Sequence, residues 1–316
     1  MDTTKPILVG VDGSISSRRA LGWAALEAAR LGVPLHVVSV CHGRGSSPAP
    51  MLPDEPAVTG ELAGDHARAV RVLDDAVTWL VGRGVTADGS IHVGDAAGTL
   101  SRLSASHGLV VIGSRGRGGF DGRQLGSVSM ALASHSHSPC VVVPTRAPSS
   151  ARFGRALSTP DLDDGLGISR PRRVVVGVDG SPSSAAAVVE AIAQAELWDC
   201  EVLAVVGVPV RSRSELLSWL PESVDRIRLV RELAQRLDEG VAAVAAAHPG
   251  IRIEQSVQEG TGPEVLLRTT RESDLLVLGT RGRGGFRGLL LGSTSQTLLH
   301  HSVCPVITVP ASEAAA

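Results

Sequence analysis

The stretch Gly113–Ser127, GSRGRGGFDGRQLGS, returns 166 residues later as Gly279–Ser293, GTRGRGGFRGLLLGS, with eleven of fifteen positions identical. Each copy follows a short apolar run, Leu109–Ile112 or Leu275–Leu278, and each leads into a stretch that reads as a helix starting at its Gly-Ser. Matching flanks around a matching loop predict one folding unit used twice. At 316 residues the chain can form two domains, each large enough to bury a core of its own. A loop crowded with glycine and arginine, set between a strand and a helix start, suits an anion. Glycine lets backbone N–H groups approach a phosphate, and the unpaired N–H groups at the helix start favour negative charge.

The order of elements agrees. Ile7–Val11 is a continuous apolar run, as a buried parallel strand requires, and it ends in Asp12-Gly13-Ser14. A helix with apolar residues at Leu21, Ala24, Ala25 and Ala28 closes at Gly32, and Leu35–Val40 is a second strand. Residues 41–60 read as a long loop rich in proline, glycine and serine. A long helix over roughly 61–80, a strand near 86–92, a helix ending near His107-Gly108, the strand 109–112, the glycine loop, a helix from Ser127 and the strand 141–143 follow. The pattern restarts at Val174–Val178 and Asp179-Gly180-Ser181, with Pro182 suited to a first helical position, and ends at Val306–Val309. This alternation predicts two mostly parallel sheets covered on both faces. The domains are expected at 1–146 and 172–311, with a linker at 147–171 and a tail at 312–316.

Composition removes several classes of function. Lysine occurs once, at Lys5, so neither domain can carry a Walker A loop or a Schiff-base lysine. With a net charge of −2, no tyrosine and three phenylalanines, the chain lacks both the field and the stacking platform of a nucleic-acid binder. Four scattered cysteines without a CxxC pair predict neither a disulfide framework nor a zinc site and fit a reducing, cytoplasmic setting. The first residues enter a strand pattern without a signal-peptide layout, and no apolar run approaches membrane-spanning length.

The glycine pattern does not match the dinucleotide fingerprint, which follows the first strand. Here the first turns carry Val-Asp-Gly-Ser, and the loops after the fourth strands read Gly113-x2-Gly116-x9-Gly126-Ser127 and Gly279-x2-Gly282-x9-Gly292-Ser293. In these motifs, and in the short hydrophobic strand that ends each half, the sequence resembles the universal stress protein family in its tandem-domain form. The resemblance spans roughly 5–144 and 172–310. It implies two tandem Rossmann-like domains of the adenine nucleotide alpha hydrolase-like kind, each a five-stranded mostly parallel sheet in the order 3-2-1-4-5. It implies ATP as the ligand, accompanied by Mg2+, with the first-strand aspartate and second-strand end near the adenosine and the glycine loop and following Gly-Ser on ribose and phosphates. Carried over, the first site comprises Gly10, Val11, Asp12, Val40, Ile112, Gly113, Arg115, Gly116, Gly126, Ser127, Val128 and Ser129. The second comprises Gly177, Val178, Asp179, Val206, Leu278, Gly279, Arg281, Gly282, Gly292, Ser293, Thr294 and Ser295; Gly207 falls where Val40 aligns.

The physical reading of these residues keeps plainer alternatives open. Asp12 is either an acceptor for an adenine amino group or ribose hydroxyls, or a turn and cap former. Ser127 is expected to cap its helix and bond a phosphate. Arg117, Arg123, Arg283 and Arg287 read as solvated loop charges, and the His135-Ser-His137 and His300-His301 pairs as partners of terminal helix carbonyls rather than metal ligands. Cys140, Cys304 and the four tryptophans read as packing residues. No catalytic constellation is evident, so hydrolysis is expected to be slow or absent. The rival readings are a nucleotide-free dimerising scaffold and an enzyme, a slow ATPase or nucleotidyl transferase. In each case the last strands, 141–143 and 306–309, are candidate pairing edges for a homodimer or an intramolecular pseudo-dimer.

Overall fold

The computed structural model describes residues 1–41, 58–116, 125–145, 170–208, 231–270 apart from 233, 236, 240 and 243, 275–282 and 291–310. The chain divides into two units, Met1–Ser169 and Arg170–Ala316.

The first unit runs β1 (Ile7–Gly10), α1 (Ile15–Leu31), β2 (Leu35–Cys41), α2 (Val58–Val81), β3 (Ala87–Val93), α3 (Ala96–Ser104), β4 (Leu109–Gly113), α4 (Ser127–His135) and β5 (Cys140–Val143). All pairings are parallel: β1 lies between β2 and β4, β3 beside β2 and β5 beside β4, which is the order 3-2-1-4-5. The apolar runs explain the centre of this sheet. Ile7, Leu8 and Val9 of β1 and Leu109, Val110 and Val111 of β4 are at most 1% exposed, because helices cover both faces. The two glycines at 10 and 89 show which helix covers which face. A side chain at Gly89 would meet Leu73 of α2, whereas one at Gly10 would meet Leu100 of α3. Their register partners are the adjacent residues Val37 and Val38, which point to opposite faces. Thus α2 and α3 cover opposite sides of the sheet.

Local signals set the helix ends. Ser14 caps α1 by accepting from Ser17 N, and Gly32 closes it in the left-handed region. Asp95 caps α3 through both carboxylate oxygens. The helix after β2 begins at Val58, inside the stretch expected to be loop, while 42–57 lie outside the described residues.

The second unit repeats the plan: β6 (Arg173–Gly177), α5 (Pro182–Trp198), β7 (Glu201–Val208), β8 (Ile253–Glu259), α6 (Gly262–Thr269), β9 (Leu275–Gly279), α7 (Ser293–His301) and β10 (Val306–Val309). Its parallel order is β8-β7-β6-β9-β10. Where described, residues 231–245 are helical. The strand β8, IEQSVQE, is not among the strands expected from the sequence, and none of its side chains is buried. The helix α5 ends on Asp199 in the left-handed region at φ 52°, where the first unit has glycine; aspartate is among the few side chains that tolerate it.

Candidate functional site

The site forms at the carboxyl ends of β1 and β4, the point where the strand order reverses direction. After β1 the chain turns through Asp12 and Gly13, and Asp12 Oδ1 accepts a hydrogen bond from Ser14 N at 2.9 Å. Gly13 sits at φ 82° against Val72, a left-handed turn that a side chain would strain. Two serines at the start of α1 then fasten the loop after β4. Ser14 Oγ donates to the Arg115 carbonyl at 3.3 Å, and Arg115 N donates to Ser16 Oγ at 3.2 Å. The approach is close enough that a Cβ at Gly113 would lie 2.7 Å from the Ser16 carbonyl oxygen. A Cβ at Gly116 would lie 2.8 Å from Asp12 Oδ2, so the glycine loop passes directly over the aspartate.

The start of α4 lies on the same loop. Gly126 is its N-cap, at φ −83° and ψ 161°, with no side-chain capping bond and no acidic residue in the first turn. Met130 N makes the first intrahelical bond, to the Gly126 carbonyl at 3.0 Å, so the N–H groups of Ser127, Val128 and Ser129 precede the helical ladder. Gly126 N donates to the Ser114 carbonyl at 2.8 Å and Ser129 Oγ to the Gly113 carbonyl at 2.8 Å, tying the helix start to the end of β4. The arrangement therefore combines a carboxylate that accepts hydrogen bonds with a helix start that donates them.

The second unit reproduces these contacts. Asp179 Oδ1 accepts from Ser181 N at 2.9 Å, Ser181 Oγ donates to the Arg281 carbonyl at 3.4 Å, and Arg281 N donates to Ser183 Oγ at 3.3 Å. A Cβ at Gly282 would lie 2.6 Å from Asp179 Oδ2. Gly292 caps α7 without a side chain, and Ser295 Oγ donates to the Gly279 carbonyl at 2.8 Å. The sites differ at the second strand. Val40 is half-buried at the end of β2, whereas its counterpart Gly207 packs under the next loop, where a Cβ would lie 2.9 Å from Gly262 Cα. Thr294 lies beside the same Gly262, so the start of α6 closes that side of the second site. Asp12 is half-buried, whereas Asp179 is exposed.

The structure brings most of the expected residues to these two crevices, in differing roles. Gly10 and Gly177 lie under Leu100 and Leu266, and Ile112 and Leu278 complete those apolar contacts, so these four form the floor. Val11 and Val178 carry the strands forward by donating from their N–H groups to the carbonyls of Val38 and Val205 at 2.9 Å each. Val206, 8% exposed, is buried in β7. Ser127 and Ser293 are exposed at the first helical position, and Val128 is half-buried at the second. Ser127 does not cap its helix: the cap is Gly126, which offers no side chain, and Ser127 stands one residue further on, at the first helical position. Ser129, 3% exposed, spends its hydroxyl on the Gly113 and Ser114 carbonyls. The clamp residues Ser14, Ser16, Ser181 and Ser183 were missed by motif reasoning, although Ser-x-Ser after both acidic turns was a visible signal.

Residues 117–124 and 283–290 of the glycine loops, with Arg117, Arg123, Arg283 and Arg287, lie outside the described residues, as does Trp219. His135 Nδ1 lies 2.9 Å from the Ala131 carbonyl, the expected terminal-carbonyl contact. Trp23 and Trp198 are each 1% exposed, and Arg83 stacks over Trp79 at 4.2 Å. Cys140 and Cys304 are buried, and burial pushes the Cys140 thiol up to about 12. Among the described residues no helix is long and apolar enough to cross a membrane, and no group of three His, Cys, Asp or Glu side chains can hold a metal ion.

Comparison with known proteins gives a consistent picture. The model of the universal stress protein family matches residues 3–144 and 171–310. Universal stress protein Rv2005c of Mycobacterium tuberculosis is 31% identical over 306 residues, covering 95% of each chain. Universal stress protein Rv1996 of the same organism is 29% identical over 320 residues, covering 96% of this chain and 95% of its own. Among solved structures, a universal stress protein from Archaeoglobus fulgidus overlays 99% of this chain and 98% of its own with a TM-score of 0.64 at 18% identity, a likeness of fold.

Proposed function

The chain belongs to the universal stress protein family, and on that premise we propose that each domain binds an adenine nucleotide, ATP first, as a stress-linked sensor with little or no hydrolysis. The observation that carries this reading is the repeated meeting of an aspartate with a bare helix start across a glycine loop. Asp12 and Asp179 supply acceptors suited to ribose hydroxyls or an adenine amino group. The N–H groups before the ladders of α4 and α7 suit phosphate oxygens. Gly116 and Gly282 leave the cradle open, since a side chain there would press on the aspartate. Mg2+ would enter on the phosphates and keep much of its water, as this ion does where protein carboxylates are few.

Slow turnover follows from the residues present. Lys5 precedes β1, at the opposite end of the sheet from the crevice, and pairs with Asp2 at 3.4 Å. No lysine is therefore presented to a γ-phosphate. Cytoplasmic location and association through the last strands, within one chain or between two, belong to the same reading, and the mass in solution tests the latter. The primary test is the nucleotide released on denaturing the freshly purified protein, followed by titration with ATP and competition by cyclic AMP. Near-stoichiometric ATP, or saturable ATP binding, is expected. Absence of both sinks the proposal, and turnover typical of a dedicated ATPase sinks its sensor part.

A further inference from the structure

Away from the crevices, the first domain carries a continuous chain of polar side chains that the nucleotide reading does not use. It starts at the turn between α3 and β4 and crosses β2 to the edge strand β3. His107 Nδ1 lies 2.7 Å from the Leu103 carbonyl, His107 Nε2 lies 3.0 Å from His36 Nδ1, His36 Nε2 lies 2.8 Å from Ser90 Oγ, and Ser90 Oγ lies 3.1 Å from His92 Nε2. The two central rings lie within 21° of parallel, with centroids 5.1 Å apart, as an in-plane bond between their edges requires.

The first contact fixes every proton along the chain. A carbonyl only accepts, so His107 carries its proton on Nδ1 and offers a bare Nε2. His36 must then donate from Nδ1, which leaves its Nε2 bare, and the Ser90 hydroxyl donates to it. The Ser90 oxygen in turn accepts from His92 Nε2. Every bond is satisfied when His36 and His107 are both neutral. One added proton on His36 turns the Ser90 hydroxyl away from it. A second, on His107 Nε2, sets two N–H groups against each other across a 3.0 Å gap. His107 is 7% exposed, so this contact is sealed in the interior of the domain.

We propose that His107, His36, Ser90 and His92 form a proton-sensitive latch that holds edge strand β3 and the α3–β4 turn to β2, and that acidification releases it in the first domain alone. The sister domain supplies the contrast. By strand register, Leu203 stands at the place of His36, Ser256 at that of Ser90 and Gln258 at that of His92. There Gln258 Nε2 donates to Ser256 Oγ at 3.1 Å, a pair that does not titrate.

The ionisable groups acting on His36 are Asp88 and His92 of β3 and His107 of the turn. Burial holds His36 below its ordinary value of 6.5, the charges of His107 and His92 lower it further, and Asp88 opposes them. The sign follows. Between 6.5 and the lower folded value the released state binds more protons, so the latch is at full strength above pH 6.5 and weakens as pH falls.

The test is amide exchange of the full-length chain by mass spectrometry, corrected for intrinsic rates, between about pH 7.5 and about pH 5.5. The opening constant of residues 87–93 is expected to rise by up to about tenfold per pH unit below 6.5, one proton taken up per opening, while that of 253–259 stays flat. His36→Leu, which copies the sister domain, is expected to abolish the dependence, and His107→Gln does the same by a milder change if the leucine variant does not fold. Nitrogen NMR at neutral pH is expected to find His36 and His107 both protonated on Nδ1. A flat response at 87–93 in the unmodified protein, an equal response at 253–259, or the opposite tautomer on either ring overturns the latch. None of these readouts needs nucleotide, so the latch and the nucleotide site stand or fall separately.

Discussion

Replacing Gly126 with aspartate separates the nucleotide site from the stability of the helix that forms it. The backbone at Gly126, φ −83° and ψ 161°, suits any side chain. An added Cβ meets the Ser114 carbonyl oxygen at 3.6 Å and Arg115 Cα and Gly116 N at 3.7 Å, ordinary contact distances. Glycine is therefore not there for room or for backbone freedom. Aspartate caps helices better than glycine by a few tenths of a kcal/mol, so folding stability should hold or rise slightly. The new carboxylate would take the N–H groups that a phosphate needs and would repel it. Two unit charges about 5 Å apart in an effective dielectric of about 20 interact by roughly 3 kcal/mol. Exposure at the helix start reduces this to about 2 kcal/mol, or roughly thirtyfold in affinity. Gly292→Asp should act alike on the second site, whose cap has φ −70° and ψ 153°. Urea unfolding and calorimetric titration with ATP read the two effects independently. Unchanged affinity in the double variant would refute the phosphate position, and a marked loss of stability would refute the structural argument.

Two further outcomes are expected. Gly113→Ala should behave in the opposite way, because its Cβ would stand 2.7 Å from the Ser16 carbonyl oxygen and force α1 away from β4. A loss of about 1–3 kcal/mol in urea unfolding is expected, and stability equal to the unmodified protein would contradict the close approach. Cys140, its thiol held near 12 by complete burial, should resist alkylation at mildly alkaline pH until the protein unfolds. Modification of the native protein at the rate of an exposed thiol would show that β5 opens readily.

The repeated loop, the apolar runs and the acidic turns determined the fold class and most of the candidate site from the sequence alone. They could do so because strand–turn–helix junctions are local. Val-Asp-Gly-Ser favours a tight turn, taken in both copies with Gly13 at φ 82° and Gly180 at φ 74°, and a glycine before Ser127 or Ser293 marks a helix start in one dimension as well as in three. The tertiary structure decided what depends on neighbours distant in sequence. It gave the capping position to Gly126 rather than Ser127, turned the Ser129 hydroxyl inward to β4, and recruited Ser14 and Ser16 to hold a loop about a hundred residues away. It revealed β8, whose residues form a strand because β7 supplies the partner rather than because they alternate. It also assembled the histidine chain. His36, Ser90, His92 and His107 are unremarkable in sequence, and only the parallel register of β2 against β3 and the turn before β4 bring their ring nitrogens within hydrogen-bond reach.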